Sequence, residues 1–389
     1  MPPTATAAPV ATPRKDPGSL RRAAPALALY AATRLAGMVC MAAWAWWIGK
    51  HPRTLLGFSW DGMWYTGIAR YGYGVGFPVA GGPHQTFSDL AFFPLLPGLV
   101  RAVATITPLG AVSAGLLVAW VAAGVAAWGI YAIGELLYGR RVATLLVVLW
   151  GVLPHAIVQS MVYTEPLMTA LAAWSLYALL THRWLWAGAL ALLAGVSRPS
   201  GVAVPAAVCV CAAVELWRGG RAGRRRWRVW TAAAVAPLGW LGYVAWVGVQ
   251  RGGPLGYFKV QEEWGSHFDF GIGALRYVRH LLIGQDLLAA YMVPVIVAAA
   301  LVCLALLVLD RPPLALLVYT LALTVIALGG DGYFPSKPRF LLPAFPLLLP
   351  AALAMARARR RTVLVTVGAL AGLSWCYGTY LLTVAPIPM

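Results

Sequence analysis

Beyond residue 24 the chain alternates long apolar runs with short breaks of charge, proline or glycine. A bilayer core takes roughly 20 apolar residues per helix. Reading the runs between breaks predicts eleven spans, at 24–48, 110–137, 142–162, 166–181, 184–197, 199–217, 228–250, 287–309, 313–329, 339–356 and 362–383. The run 90–108 is a twelfth candidate, interrupted by Arg101 and rich in proline. The pattern predicts an all-α polytopic membrane protein of about eleven spans, ten to twelve depending on the short runs. Residues 1–23 are Pro/Ala/Thr-rich and basic, the composition of a disordered tail, and 24–389 read as a single membrane domain. The apolar stretch after the tail is too long for a cleaved signal peptide and is expected to remain as the first span.

Arginine placement sets the orientation. With 90–108 lying at the surface or entering part-way, one side of the membrane carries 18 basic and 4 acidic residues. The other side carries 11 basic and 8 acidic, so the contrast is +14 against +3. The positive-inside rule makes the first side cytoplasmic, with the N-terminus there, in a multi-pass protein of the plasma membrane. Treating 90–108 as a span would move Arg140 and Arg141 outside and break the pattern.

Composition supports this and excludes other classes. The chain has 389 residues, 61% hydrophobic and 11% charged, whereas a soluble domain is about 45–50% apolar and about 25% charged. A soluble enzyme, a disordered chain, collagen and a nucleic-acid binder are excluded, despite the net charge of +18. Eighteen Trp and sixteen Tyr suit many membrane–water interfaces. The five cysteines (Cys40, Cys209, Cys211, Cys303, Cys376) all sit in apolar runs and form neither a disulfide framework nor a zinc site. The absence of Asn and the excess of Arg over Lys fit GC-rich prokaryotic coding.

The acids concentrate outside: Asp61, Asp89, Glu165, Glu262, Glu263, Asp269, Asp286 and Asp331. Chemistry is therefore expected at the outer surface. The largest outer loop, 49–109, contains SWDGMWYTGIARYGYG. Trp60, Trp64, Ile68 and Tyr71 recur at helical spacing, which fits a short helix lying in the interface. Ser59 is placed to cap it and Asp61 falls in its first turn, where the helix dipole favours a carboxylate. A carboxylate beside aromatic rings at the lipid boundary suits a general base for a sugar hydroxyl, and equally a plain helix start. Arg198-Pro199-Ser200-Gly201 breaks a long apolar stretch, and Lys337-Pro338-Arg339 closes another loop. Either is a clamp for a lipid phosphate or an ordinary interfacial flank. The second large outer loop, 251–286, holds Tyr257 through Trp264, an aromatic and amide mixture suited to a sugar or to an amphipathic helix. There is no GxxxxGK[ST], no GxGxxG opening a helix, no Asp-x-Asp pair and no HExxH. A nucleotide-sugar site with its usual metal is not expected, and no cofactor or metal is.

WDGMWYTGIARYGY followed by AFFPLLP presents, in order, Trp60, Asp61, Trp64, Tyr65, Ile68, Ala69, Gly72, Tyr73, Ala91, Phe92, Phe93, Pro94 and Pro97. This order resembles the signature of the PIG-V-type mannosyltransferases of the GT-C superfamily. Tyr163-Thr164-Glu165 is similar to that family's Tyr-Ser-Glu, and Arg198-Pro199-Ser200-Gly201 to its Arg-x-Asn-Gly, with Ser200 in place of Asn. Gln261 with Trp264 resembles a Gln-x-x-Trp-Gly element, and Arg339-Phe340-Leu341-Leu342-Pro343 a late Arg-Phe-Leu-x-Pro. The resemblance implies a GT-C-like fold and a polyprenyl-phosphate-linked sugar donor, usually mannose. It further implies inverting transfer at the outer face to a lipid or glycan acceptor.

On this reading Asp61 is the base, and Arg198, Arg339 and Lys337 hold the donor phosphate. Trp60, Trp64, Tyr65, Tyr73, Asp89, Tyr163, Glu165, Gln261 and Trp264 surround sugar or acceptor. The competing reading is a lipid or solute transporter or a lipid-sugar flippase, for which Arg34 and His155, inside predicted spans, are the only support.

Overall fold

The computed structural model describes residues 19–74, 77–78, 86–219 and 226–385. Most of the expected tail (1–18), part of the Gly-rich segment after Tyr73, and the arginine-rich stretch 220–225 lie outside the described residues.

Among the described residues the chain is all-α apart from a two-residue antiparallel pairing of Phe77–Pro78 with Thr86–Phe87 and an isolated bridge of Phe268 with Gly330. Helices α1 (Leu20–Trp47), α2 (Pro52–Phe58), α3 (Asp61–Tyr71) and α4 (Leu95–Ile106) lead into α5 (Ala111–Tyr138) and α6 (Arg140–Gly151). Then come α7 (Glu165–Leu180), α8 (Trp184–Gly195), α9 (Ala203–Arg218), α10 (Trp227–Val235) and α11 (Leu238–Gln250). The second loop carries α12 (Gly256–Glu263) and α13 (Ile272–Ile283). It is followed by α14 (Leu288–Leu309), α15 (Leu314–Gly329), α16 (Lys337–Leu341), α17 (Leu349–Arg357) and α18 (Arg360–Thr383). Residues 20–23, expected in the tail, form the first turn of α1.

Every predicted apolar run contains helix, and the protein is a multi-pass membrane protein. The lengths are more uneven than the runs suggest. Among the described residues six helices are long and apolar enough to cross alone. A seventh crossing is possible through Phe334–Leu341 and Phe345–Arg357, which meet at a 78° bend. The runs 166–181, 184–197 and 313–329 form helices of 16, 12 and 16 residues. At about 1.5 Å per residue these span only about 18–24 Å of a core roughly 30 Å thick. Run 142–162 is helical only to Gly151, then passes through a short 3-10 turn at Ala156–Ser160. Such breaks are tolerated at membrane depth only where protein covers them, and Ala156 through Glu165 are all buried. Helix α4, from the 90–108 run, has 12 residues, too few to cross.

Lipid tails are as apolar as leucine, so small residues rather than hydrophobic drive bring these helices together. Helix α5 buries a file of Ala and Gly from Ala111 to Gly134 and packs on α6 and α7. Gly129 sits where a Cβ would press on Ala173 and Trp174. Helix α1 packs on α18 and α6, while few residues of α14 are fully buried.

Two polar side chains inside predicted spans are buried within the protein. Arg34 donates to Ser160 Oγ at 3.0 Å and the Gly151 carbonyl at 3.4 Å, fastening α1 to the break after α6. His155, 3% exposed, packs edge-on to Tyr377 at 5.4 Å and borders a separate apolar cavity of about 180 Å³.

Candidate active site

Four breaks in the helical framework bring four charged side chains together. Asp61 is the first residue of α3, whose dipole favours a carboxylate there. The expected cap is not Ser59: Trp60 holds the cap position with no side-chain cap bond, at φ 48°. That left-handed geometry costs a non-glycine residue on the order of 1–3 kcal/mol and turns the chain sharply just before the carboxylate. Gly62, next in line, lies so close to the Gly57 carbonyl (2.9 Å from an ideal Cβ) that only glycine lets α2 and α3 approach. Glu165 is the first residue of α7, and Arg198 sits in the tight connection from α8 to α9. Arg339 lies in α16, ahead of the 78° bend.

Their contacts form a chain of charges. Arg339 Nη1 donates to Asp61 Oδ2 at 2.8 Å, and its Nε lies 3.2 Å from Glu165 Oε1. Arg198 Nη1 lies 2.8 Å from the same Glu165 oxygen. The Arg339 guanidinium carbon also lies 4.9 Å from the ring centroids of both Tyr163 and Phe340, and that of Arg198 lies 5.5 Å from Phe340. Glu165 is 1% exposed and both arginine side chains 7%, whereas the Asp61 side chain is 27% exposed. Burial raises the Asp61 carboxyl above the usual carboxylate range, while Arg339 beside it pulls the other way.

Asp61 looks into a cavity of about 530 Å³. Arg198, Arg339 and Lys337 form its basic wall, with Lys337 donating to the Gly330 carbonyl. Much of the remaining lining is aromatic. Trp264 packs on Phe87 at 4.6 Å, on Trp64 at 5.1 Å and on Phe92 at 5.3 Å, and its Nε1 donates to the Ser88 carbonyl at 2.9 Å. The two large loops are thereby joined. Trp60, Tyr65 and Gln261 also line the cavity, and Gln261 donates to Tyr257 Oη at 2.9 Å.

Helix α3 is more enclosed than an interfacial helix: Trp64, Tyr65 and Ile68 are buried against protein, and only Tyr71 of the predicted stripe is exposed. Of the expected sugar-binding residues, Tyr73, Asp89, Tyr163 and Glu165 do not line the cavity. Tyr73 donates to the Phe92 carbonyl at 2.7 Å, and Asp89, 3% exposed, accepts from the Gly74 N–H at 2.8 Å. Both brace the loop that carries Phe92. Tyr163 is fully buried behind Arg339, and Glu165 beneath both arginines.

Several lining residues were not singled out in the sequence, among them Phe87, Tyr333 and Ser336. Nothing in their local pattern marks them. The strand-like bridge Phe268 to Gly330, with the Asp331 N–H donating to the His267 carbonyl at 2.7 Å, brings the loop of Tyr333 and Ser336 to the 251–286 loop. The same bridge gathers His267, Asp269 and Asp331, whose ligand atoms lie within 4.8 Å of one another. Asp269 already accepts from the Gly271 and Gly273 N–H groups, and Asp331 from Gly332 at 2.8 Å, with His267 3.5 Å from its other oxygen.

Fold and site together define a polytopic membrane protein with a charged, aromatic-walled cavity built on helix breaks. No family model matches the chain, and no curated protein does. Among solved structures it is similar to ArnT from Cupriavidus metallidurans in the apo state, with a TM-score of 0.48 and 17% identity. That match covers 77% of this chain and 54% of ArnT, so the chain spans about half of that protein's length.

Proposed function

We propose that this protein is an integral-membrane glycosyltransferase that moves a sugar, mannose by the motif resemblance, from a polyprenyl-phosphate donor to a lipid or glycan hydroxyl. The reaction takes place at the outer face of the plasma membrane. The reading is carried by one observation: Asp61 lies 2.8 Å from Arg339 in the wall of a cavity that Arg198, Lys337 and a set of aromatic side chains also line. Asp61 takes the proton of the acceptor hydroxyl as its oxygen forms a bond to the anomeric carbon. The bond from that carbon to the phosphate oxygen breaks on the opposite side, its electron pair passing to the phosphate, so configuration inverts. Arg339 and Arg198 meet the charge that develops on the leaving lipid phosphate, the preorganised electrostatic term that is commonly the largest in such sites. Trp264, Trp64 and Trp60 offer faces for the sugar ring or the first prenyl units, and Gln261 a hydroxyl contact.

The leaving group is a monophosphate, and Arg339, Arg198 and Lys337 supply the positive charge that meets it, so no metal is required on this reading. The test is transfer from polyprenyl-phosphate-mannose to membrane-lipid acceptors by wild type and Asp61→Asn. A positioned general base contributes about 10²–10⁴-fold, so the variant should lose at least about a hundredfold in kcat. Equal turnover by both proteins removes Asp61 as base. Absence of transfer with any lipid-phosphate sugar, alongside solute uptake into liposomes, favours a transporter.

A further inference from the structure

Glu165 has no exposed surface to offer a substrate, and its Oε1 touches both arginines at 2.8 and 3.2 Å. Two guanidiniums side by side repel; a carboxylate between them lets both be held in one place before any ligand arrives. Its other oxygen, Oε2, is buried and accepts no hydrogen bond among the described residues, so the carboxylate has no other bond to maintain. Arg339 uses Nε toward Glu165 and Nη1 toward Asp61. The Glu165 contact is deep in protein, whereas the Asp61 contact faces the cavity.

We propose that Glu165 is a positioning residue, the pivot on which Arg339 exchanges Asp61 for the phosphate of an incoming lipid monophosphate. This rests on the donor assignment above. In the ligand-free protein the Asp61 pair holds the Arg339 end that a phosphate oxygen would take. When phosphate takes it, Asp61 loses its cationic partner and becomes a free base facing the acceptor. Donor therefore binds before acceptor, and the base is released only in the loaded site. A cation already committed to an internal partner lowers the apparent affinity for its ligand by the fraction of time it is free.

The test is equilibrium binding of farnesyl monophosphate, which carries phosphate and prenyl chain but no sugar, to the detergent-solubilised full chain. Asp61→Asn should bind it about tenfold more tightly than wild type, because the competitor is gone. Asp331→Asn removes a negative charge from the same cavity without touching Arg339, and should change binding by less than about twofold. Glu165→Gln should weaken binding about tenfold or more, and Glu165→Asp, which keeps the charge on a shorter arm, should fall between. Should Glu165→Gln not fold, Glu165→Asp and the two Asp→Asn variants decide the matter. Asp61→Asn binding no tighter than wild type, or no tighter than Asp331→Asn, overturns the exchange; Glu165→Gln binding like wild type overturns the pivot. Wild type failing to bind at all removes the lipid-phosphate reading itself, a pattern distinct from either.

Discussion

Arg339→Lys separates charge from geometry. The guanidinium makes two kinds of contact at once: to carboxylates, 2.8 Å to Asp61 and 3.2 Å to Glu165, and to the Tyr163 and Phe340 rings, each at 4.9 Å. An ammonium is a point charge on a flexible stem, without a planar fork to meet two carboxylates or a flat face to lay against a ring. The variant keeps the charge but gives up one carboxylate and the stacking. Losing one hydrogen bond to a charged group costs about 1.5–3 kcal/mol, and losing one preorganised donor to developing negative charge costs about 10²–10³ in kcat. With the charge retained, the expected loss is toward the lower end, about a hundredfold in kcat. The assay is initial-rate transfer from the lipid-phosphate sugar at saturating donor and acceptor, with a thermal melt of the same preparation to confirm folding. A kcat within threefold of wild type refutes the reasoning, since Arg339 would then supply charge alone.

Further outcomes follow from the same geometry. Asp61 must be ionised to take a proton and burial raises its carboxyl above the usual range. The rate should therefore fall as pH drops through a value above the ordinary Asp pKa of about 3.9, and a pH–rate profile of Asp61→Asn should lack that limb. Trp264→Ala removes the centre of the aromatic wall and should raise the donor KM about tenfold with kcat little changed, the pattern of lost uniform binding; an unchanged KM removes the wall from donor recognition. Exhaustive chelation, or His267→Ala with Asp331→Ala, should leave transfer unaltered; a loss restored by a divalent cation would make the His267, Asp269 and Asp331 cluster a metal site. In a background free of native cysteines, His267→Cys should react with an impermeant maleimide added to intact cells and Trp217→Cys should not; the reverse pattern inverts the orientation.

The elements were legible because lipid imposes a coarse rule: a run of apolar residues becomes helix wherever backbone groups have no water to bond. Their lengths were less so. In VLPHAIVQSMVYTEP, Pro154 marks a helix end nearby, but the buried path that follows is fastened by Arg34 of α1, which donates to the Gly151 carbonyl and to Ser160 from more than 110 residues away. The same limit applies at the site. Asp61, Arg198 and Arg339 stood out as charges beside prolines, glycines and aromatics in apolar surroundings, and the cavity contains all three. Asp89 and Glu165 stood out by the same sign, yet one braces a loop and the other lies beneath the arginines. Burial separates these roles, and it is decided by contacts such as Glu165 with Arg339, 174 positions apart in the chain. Phe87 and Tyr333 carry no local mark, since a loop aromatic reaches a cavity only through the pairing that places its loop.

The four charges share one structural origin. Asp61 follows the left-handed turn at Trp60, Glu165 opens α7 after the 3-10 turn, Arg198 sits between two helices, and Arg339 precedes a 78° bend. A continuous transmembrane helix can offer side chains only along its flank, where a charge faces lipid or a closely packed neighbour at a cost of roughly 2.5–3.5 kcal/mol or more. A broken helix frees backbone carbonyls and N–H groups that themselves need partners, and so opens polar space inside the bundle. Placing each charge at a break lets the four neutralise one another as two cations and two anions. The cavity can then stay open beside charges that are paired with one another. Filling any of these breaks with regular helix would remove more than one contact. Gly201→Ala, which presses on the Ala194 carbonyl in the turn that carries Arg198, should therefore depress transfer well beyond its effect on the thermal melt. A loss of activity no larger than the loss of folded protein would show that the turn serves stability alone.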